Sequence, residues 1–143
     1  MFVALVGRPN VGKSSLLNEL VGEKVAIVTS KPQTTRTKIT GILTHGATQY
    51  IFLDTPGIHR PRTRLGERMT KAASQSIAEV DVVVMLFEPY GELNPAEEEL
   101  LSEIRARRVP ALAAVNKTDT LKKESHYDAR AAFLNEQGLF RCV

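Results

Sequence analysis

Gly7-Arg8-Pro9-Asn10-Val11-Gly12-Lys13-Ser14 carries glycine, lysine and serine at the spacing G-x-x-x-x-G-K-[ST]. Its neighbours supply the context. Phe2 to Val6, just before it, is an unbroken apolar run, as in a strand buried on both faces. Just after it, Leu16, Leu17, Leu20 and Val21 recur at helical spacing, and Gly22 closes the helix. A glycine-rich turn between strand and helix points several backbone N–H groups at one spot, with the positive helix end behind them. Such a cradle suits a polyphosphate. Asn10, Val11, Gly12, Lys13, Ser14 and Ser15 then surround the phosphates, Lys13 pairs with their β and γ groups, and the Ser14 hydroxyl ligates magnesium.

Further along the chain, residues 23–38 show little periodicity and read as a long loop. Ile39 to Thr44 and Gln49 to Leu53 predict two strands of a hairpin around His45-Gly46-Ala47-Thr48. Leu65, Met69, Ala72, Ala73, Ile77 and Val80 mark an amphipathic helix, and Asp81 to Phe87 another buried strand. Asn94 is an N-cap with Pro95 at the first helical position, and Leu100, Leu101 and Ile104 form that helix's apolar face. Glu97 to Glu99 near its start and Arg105, Arg107 and Arg108 near its end match the helix dipole. Pro110 to Val115 is the next strand, and Ser125 caps a last helix ending near Gly138. The alternation predicts an α/β fold: a mostly parallel sheet with one antiparallel edge strand and helices on both faces, in one domain over residues 1–143.

Two more motifs fall at the carboxyl ends of predicted strands, where α/β folds place their ligands. Asn116-Lys117-Thr118-Asp119 follows Val115. The Asp119 carboxylate can accept hydrogen bonds from N1–H and the 2-amino group of guanine, which adenine lacks. Such a site rejects the wrong base by about 10⁴-fold or more. Asn116 braces the loop and helps read the base, and the Lys117 stem lies along the purine. Asp54-Thr55-Pro56-Gly57 follows Leu53. Asp54 is expected to hold magnesium through a water, and the Gly57 N–H to meet a γ-phosphate, which makes one switch. In Gln33-Thr34-Thr35-Arg36 a hydroxyl completes the metal shell; Thr35 is favoured over Thr34. Together these readings point to GTP rather than ATP.

Composition narrows the class. Lys and Arg number 19 against 16 Asp and Glu, and a net charge of +3 is too small to indicate a nucleic-acid protein by itself. Cys142 is the one cysteine, so no internal disulfide framework exists, which fits a reducing cytosol. Phe2 to Val6 is too short for a signal peptide or a membrane span, so the expected setting is cytoplasmic, with no transmembrane segment. Arg60, Arg62, Arg64, Arg68 and Lys71, with Lys31, Arg36 and Lys38, form either a solvated loop surface or one that meets RNA or an acidic partner.

The run Gly7 to Ser14, Lys31-Pro32-Gln33-Thr34-Thr35-Arg36 with Gly41 behind it, Asp54-Thr-Pro-Gly57 and Asn116-Lys-Thr-Asp119 together resemble the bacterial Era family of GTPases. The resemblance spans essentially the whole chain. It implies a P-loop G domain that hydrolyses GTP to GDP as a switch in small ribosomal subunit assembly, with ribosomal RNA as partner and peripheral contact with the inner membrane. It also implies a last strand and helix, of which Phe140 to Val143 reads as the beginning, and a carboxy-terminal RNA-binding KH domain, which is not expected within residues 1–143. Without them, Pro110 to Val115 is expected near an exposed sheet edge. Ile58 stands where many signalling GTPases place a glutamine, so water must be oriented otherwise. In similar GTPases the residue matching Asn10 helps hold a potassium ion; loop geometry is the other reading of Asn10. Lys13, Thr35, Gly57 and Asn10 are therefore the expected catalytic set. The alternatives are a guanine-nucleotide module with negligible turnover, or a related GTPase of tRNA modification or large-subunit assembly.

Overall fold

The computed structural model describes residues 1–24, 39–55, 75, 77–121 and 124–143. The strand before the glycine-rich turn, β1 (Phe2–Gly7), is buried from its second residue onward and lies in the middle of the sheet. The next elements are α1 (Lys13–Val21), β2 (Ile39–His45) and β3 (Thr48–Asp54). After them come β4 (Val82–Phe87), α2 (Pro95–Arg107), β5 (Ala111–Val115), a 3₁₀ turn (Thr118–Thr120) and α3 (Glu124–Glu136). Five strands lie in the order β2-β3-β1-β4-β5. β1 pairs in parallel with β3 and β4, and β4 with β5; β2 runs antiparallel to β3 at the edge. The predicted α/β sheet with one antiparallel edge strand is thus observed. All the parallel strands end on one side, which brings Gly7, Asp54, Phe87 and Val115 to a common edge.

Alternation along β1 assigns its side chains to two faces. Ala4 and Val6 join Val83, Met85 and Phe87 beneath Leu100, Leu101 and Ile104 of α2 and Leu134 of α3. Val3 and Leu5 join Phe52 against Leu17 of α1. Helices therefore cover both faces, and each fully buried Leu, Ile or Phe contributes about 1.5–3 kcal/mol. Gly41 of β2 lets α1 approach the sheet edge: a Cβ there would stand 2.6 Å from Leu17 Cδ1 and 2.8 Å from Val21 Cγ2.

Several boundaries move for identifiable reasons. The hairpin loop shortens to Gly46-Ala47, with Gly46 at φ 58°, so both strands run longer than expected. β4 begins at Val82; just before it Asp81 N donates to Phe2 O at 3.0 Å, and the Asp81 carboxylate accepts the Phe2 N–H at 2.7 Å. β5 begins after Pro110, which has no N–H to give; its carbonyl accepts from Val83 N at 2.9 Å. α3 starts at Glu124, one residue before the expected cap Ser125, whose side chain lies outside what is described. Asn94 caps α2 as expected, and reciprocally with Glu97: each side chain accepts the other's backbone N–H at 2.9 Å. Of the predicted helix over 65–80, Gln75, Ile77 and Ala78 are described and helical, and Ile77 is fully buried in the larger cluster. Residues 65–74 and 76 of that helix lie outside the described residues.

The outer side of β5 is not left open. Arg141 N donates to Ala111 O at 2.8 Å and Ala113 N to Cys142 O at 2.9 Å, in parallel sense. Phe140 packs edge-on against Phe87, ring centroids 5.7 Å apart. The expected exposed edge is therefore lined by the chain's own last residues. Among the described residues no helix is long and apolar enough to cross a membrane.

Candidate functional site

The turn from β1 into α1 is held in a shape that few side chains tolerate. Gly7 has φ 145°, and a Cβ there would stand 2.6 Å from the Leu86 carbonyl oxygen. Gly12 has φ 107°, and its Cβ would stand 2.0 Å from Asn116 Nδ2. Asn10 adopts φ 60°, a left-handed conformation that asparagine enters more readily than most residues. Between them Val11 is fully buried and anchors the loop in the interior. Gly12 is the N-cap of α1 and offers no side-chain cap, and the first turn carries no acidic residue. The N-cap of this helix thus supplies no side-chain acceptor to its first N–H groups, an arrangement suited to an anion.

Lys13 is buried at this turn. Its Nζ donates to Gly7 O at 3.2 Å and Arg8 O at 2.8 Å. Burial lowers its pKa to about 8, and nearby Asp54 opposes that fall. Asp54 ends β3, fully buried, and its Oδ2 accepts the Ser14 hydroxyl at 2.6 Å. The register of β1 on β3 sets Leu5 opposite Asp54, which is why two residues distant in sequence meet here. Thr55, to which the sequence assigns no role, donates its hydroxyl to Leu5 O at 2.7 Å and is buried. It fixes the chain as it leaves β3.

The third loop closes on the first. Asn116 N donates to Phe87 O at 2.9 Å, and its side-chain Nδ2 donates to Val11 O at 2.8 Å. Lys117 has φ 60°, and its ammonium pairs with Glu88 Oε1 at 2.8 Å. Asp119 lies in the exposed 3₁₀ turn, so its carboxylate is accessible. Asn10, Val11, Gly12, Lys13, Ser14, Ser15, Asp54, Asn116, Lys117 and Asp119 thus gather around one edge of the sheet. Thr34, Thr35, Gly57, Ile58 and the basic residues between 31 and 71 lie outside the described residues.

Sequence reasoning also missed two acidic partners. Arg8 makes an ion pair of 2.6 Å with Glu97, whose side chain is only 2% exposed. Glu88 pairs with Lys117. The Asn94-x-x-Glu97 spacing is a capping-box signal and could have set Glu97 apart from Glu98 and Glu99. A separate groove of about 840 Å³ lies between α2, α3 and residues 89–93, and includes none of the three motifs.

Residues 2–117 match the family described as "50S ribosome-binding GTPase". The chain is 40% identical over 140 residues to GTPase Era of Clostridioides difficile, covering 98% of this chain and 47% of that protein. It is 50% identical over 121 residues to GTPase Era of Carboxydothermus hydrogenoformans, covering 85% and 41%. The crystal structure of Era in complex with MgGDPNP and nucleotides 1506–1542 of 16S ribosomal RNA superposes with a TM-score of 0.88 at 33% identity. That match covers 99% of this chain and 50% of the other. A point variant of Aquifex aeolicus Era bound to GDP and AlF4⁻ gives the same values. The chain spans about half the length of the curated relatives it matches. With three motifs converging on one sheet edge and a family match over most of its length, the chain belongs to the 50S ribosome-binding GTPases, as a P-loop G domain of the Era-like kind.

Proposed function

We propose that this chain binds GTP and GDP with magnesium and hydrolyses GTP, as the G domain of a switch protein. One observation carries this reading: the Asn116 side chain bonds the Val11 carbonyl at 2.8 Å, which joins the phosphate loop to the base-reading loop. A nucleotide spanning the two would set its phosphates at one loop and its base at the other.

The residues present fit the ligand and its metal. The cradle at Gly7 and Gly12 has no room for a side chain, which leaves backbone N–H groups as its lining. Ser14 and Asp54 offer hard oxygen donors side by side, as magnesium prefers. When bound, the ion would neutralise phosphate charge; Ser14 and Asp54 would hold it, with Thr35 assigned from sequence alone. Lys13 would leave the Gly7 and Arg8 carbonyls for the phosphates. Asp119 would select guanine, and the Lys117 stem would flank the ring. Gly57 remains the proposed γ-phosphate sensor, and Asn10 the proposed potassium ligand. Assays of phosphate release in matched potassium and sodium buffers test the latter; equal rates remove it.

The larger role is carried by likeness. A similar structure holds a fragment of 16S ribosomal RNA, and we place this chain in small-subunit assembly in the cytoplasm. A KH domain would belong to the part of the relatives that this chain does not span. The direct test is competition of GDP, GTP, ADP and ATP against a fluorescent GDP analogue. Guanine nucleotides should displace it at least about 10³-fold better than adenine nucleotides. Equal displacement, or no binding, refutes the proposal. Turnover without a partner is expected to be slow, on the order of 10⁻⁴–10⁻² s⁻¹.

A further inference from the structure

The segment between β4 and α2 belongs to none of the three motifs, yet two of them are fastened to it. From the phosphate loop, Arg8 Nη2 donates to Glu92 O at 2.5 Å and pairs with Glu97 Oε2 at 2.6 Å. Glu97 is in turn fixed by the Asn94 N–H at 2.9 Å, so its carboxylate has little freedom. Arg8 therefore directs its charge into the protein, while its carbonyl accepts the Lys13 ammonium at 2.8 Å. From the base-reading loop, Lys117 pairs with Glu88 at 2.8 Å. Between these two anchors, Arg130 Nη1 donates to Gly91 O at 2.9 Å, with its guanidinium 5.4 Å from the Phe87 ring centre. Three cations from three elements thus hold one short segment.

Resting on the guanine-nucleotide reading above, we propose that Glu97 and Glu88 are positioning residues for the two ends of the nucleotide. Glu97 sets the phosphate loop through Arg8, and Glu88 sets Lys117 beside the base. Neither touches the ligand. The two pairs differ in strength for a physical reason. Glu97 is buried and charge-paired, so losing Arg8 removes its direct ion-pair partner, leaves only the attraction of Arg130, and unanchors the loop. The Glu88–Lys117 pair is about one third exposed and is weakened by solvent.

The experiment measures affinities for GDP and for guanosine, which lacks phosphates, in wild type, Glu97→Gln, Arg8→Met, Arg8→Lys and Glu88→Gln, each first checked for a cooperative melt. Glu97→Gln and Arg8→Met should weaken GDP about ten- to a hundred-fold, and guanosine by less than about threefold. Arg8→Lys, which keeps a charge for Glu97, should recover part of the loss. Glu88→Gln should weaken both ligands together, by about two- to fivefold. Equal losses of GDP and guanosine in the Glu97 and Arg8 variants would mean general loosening and overturn the proposal, as would unchanged GDP affinity. If Glu97→Gln does not fold, the Arg8→Met and Arg8→Lys pair decides the question alone. Wild type that binds no GDP refutes the functional reading itself, whereas normal wild type with unaffected variants refutes only this assignment.

Discussion

Lys13 should make the nucleotide-free protein less stable than it would be without that charge, by an amount that pH can titrate. Burial lowers its pKa from an ordinary 10.5 to about 8, with Asp54 offsetting part of the fall. The gap is worth about 3 kcal/mol between the two protonation states. Between the two values the unfolded chain binds more protons than the folded one, so stability rises with pH across that window. The cost is fully present below about 8 and gone above about 10.5. Other groups titrate there too, so the measurement is a difference against Lys13→Met, which keeps the length and removes the charge. Urea unfolding followed by circular dichroism, near pH 7 and near pH 10.5, gives both stabilities. Wild type should gain about 3 kcal/mol on the variant over that interval. A difference constant to within about 0.5 kcal/mol would refute the reasoning, since it would leave Lys13 with no burial penalty to relieve. Phosphate anions favour the charged form, so binding runs the opposite way. GDP affinity relative to guanosine should fall about tenfold from pH 7 to pH 9 in wild type and stay flat in Lys13→Met.

Gly12→Ala should abolish detectable GDP binding, because its methyl would stand 2.0 Å from Asn116 Nδ2 at a φ of 107°; near-normal titration would show that the loops can part at little cost. Asp119→Asn should lose guanine affinity by about 10²-fold or more and gain affinity for xanthosine diphosphate, whose O2 can accept from an amide; paired titrations check the exchange. Thr55→Val removes the hydroxyl that the Leu5 carbonyl accepts at 2.7 Å. It should cost about 1–2 kcal/mol in denaturant unfolding.

Local pattern carried most of the fold. β1 and α1 were legible because a buried strand and an amphipathic helix flank the glycine turn, and each has its own period. Asn94 and Pro95 announced α2 through N-cap chemistry. What sequence could not give was anything settled by register or by distant partners. That the Asp81 carboxylate would take the Phe2 N–H depends on a contact across 79 positions. That Arg8 would turn to Glu97 depends on where α2 packs, which no local signal states. The Phe140–Val143 segment has the look of a strand's beginning, and it does run beside β5; that it would seal the edge follows only from the pairing. Asn116 is legible as a brace for its loop, but that its side chain reaches Val11, 105 residues earlier, follows only from the fold.

Gly41 contributes no functional group, yet it sets how far back the phosphate-facing helix can recline. α1 rests its rear half, at Leu17 and Val21, on bare backbone at that position. A methyl group there would need about 1 Å of extra clearance. Either the two side chains rotate away or the nine-residue helix tips, carrying Lys13 and Ser14 at its front end. Catalytic geometry tolerates only about 0.5 Å of error. A mutation on the far strand, remote from the glycine-rich turn, would therefore disturb the proposed nucleotide site as surely as one within the cradle.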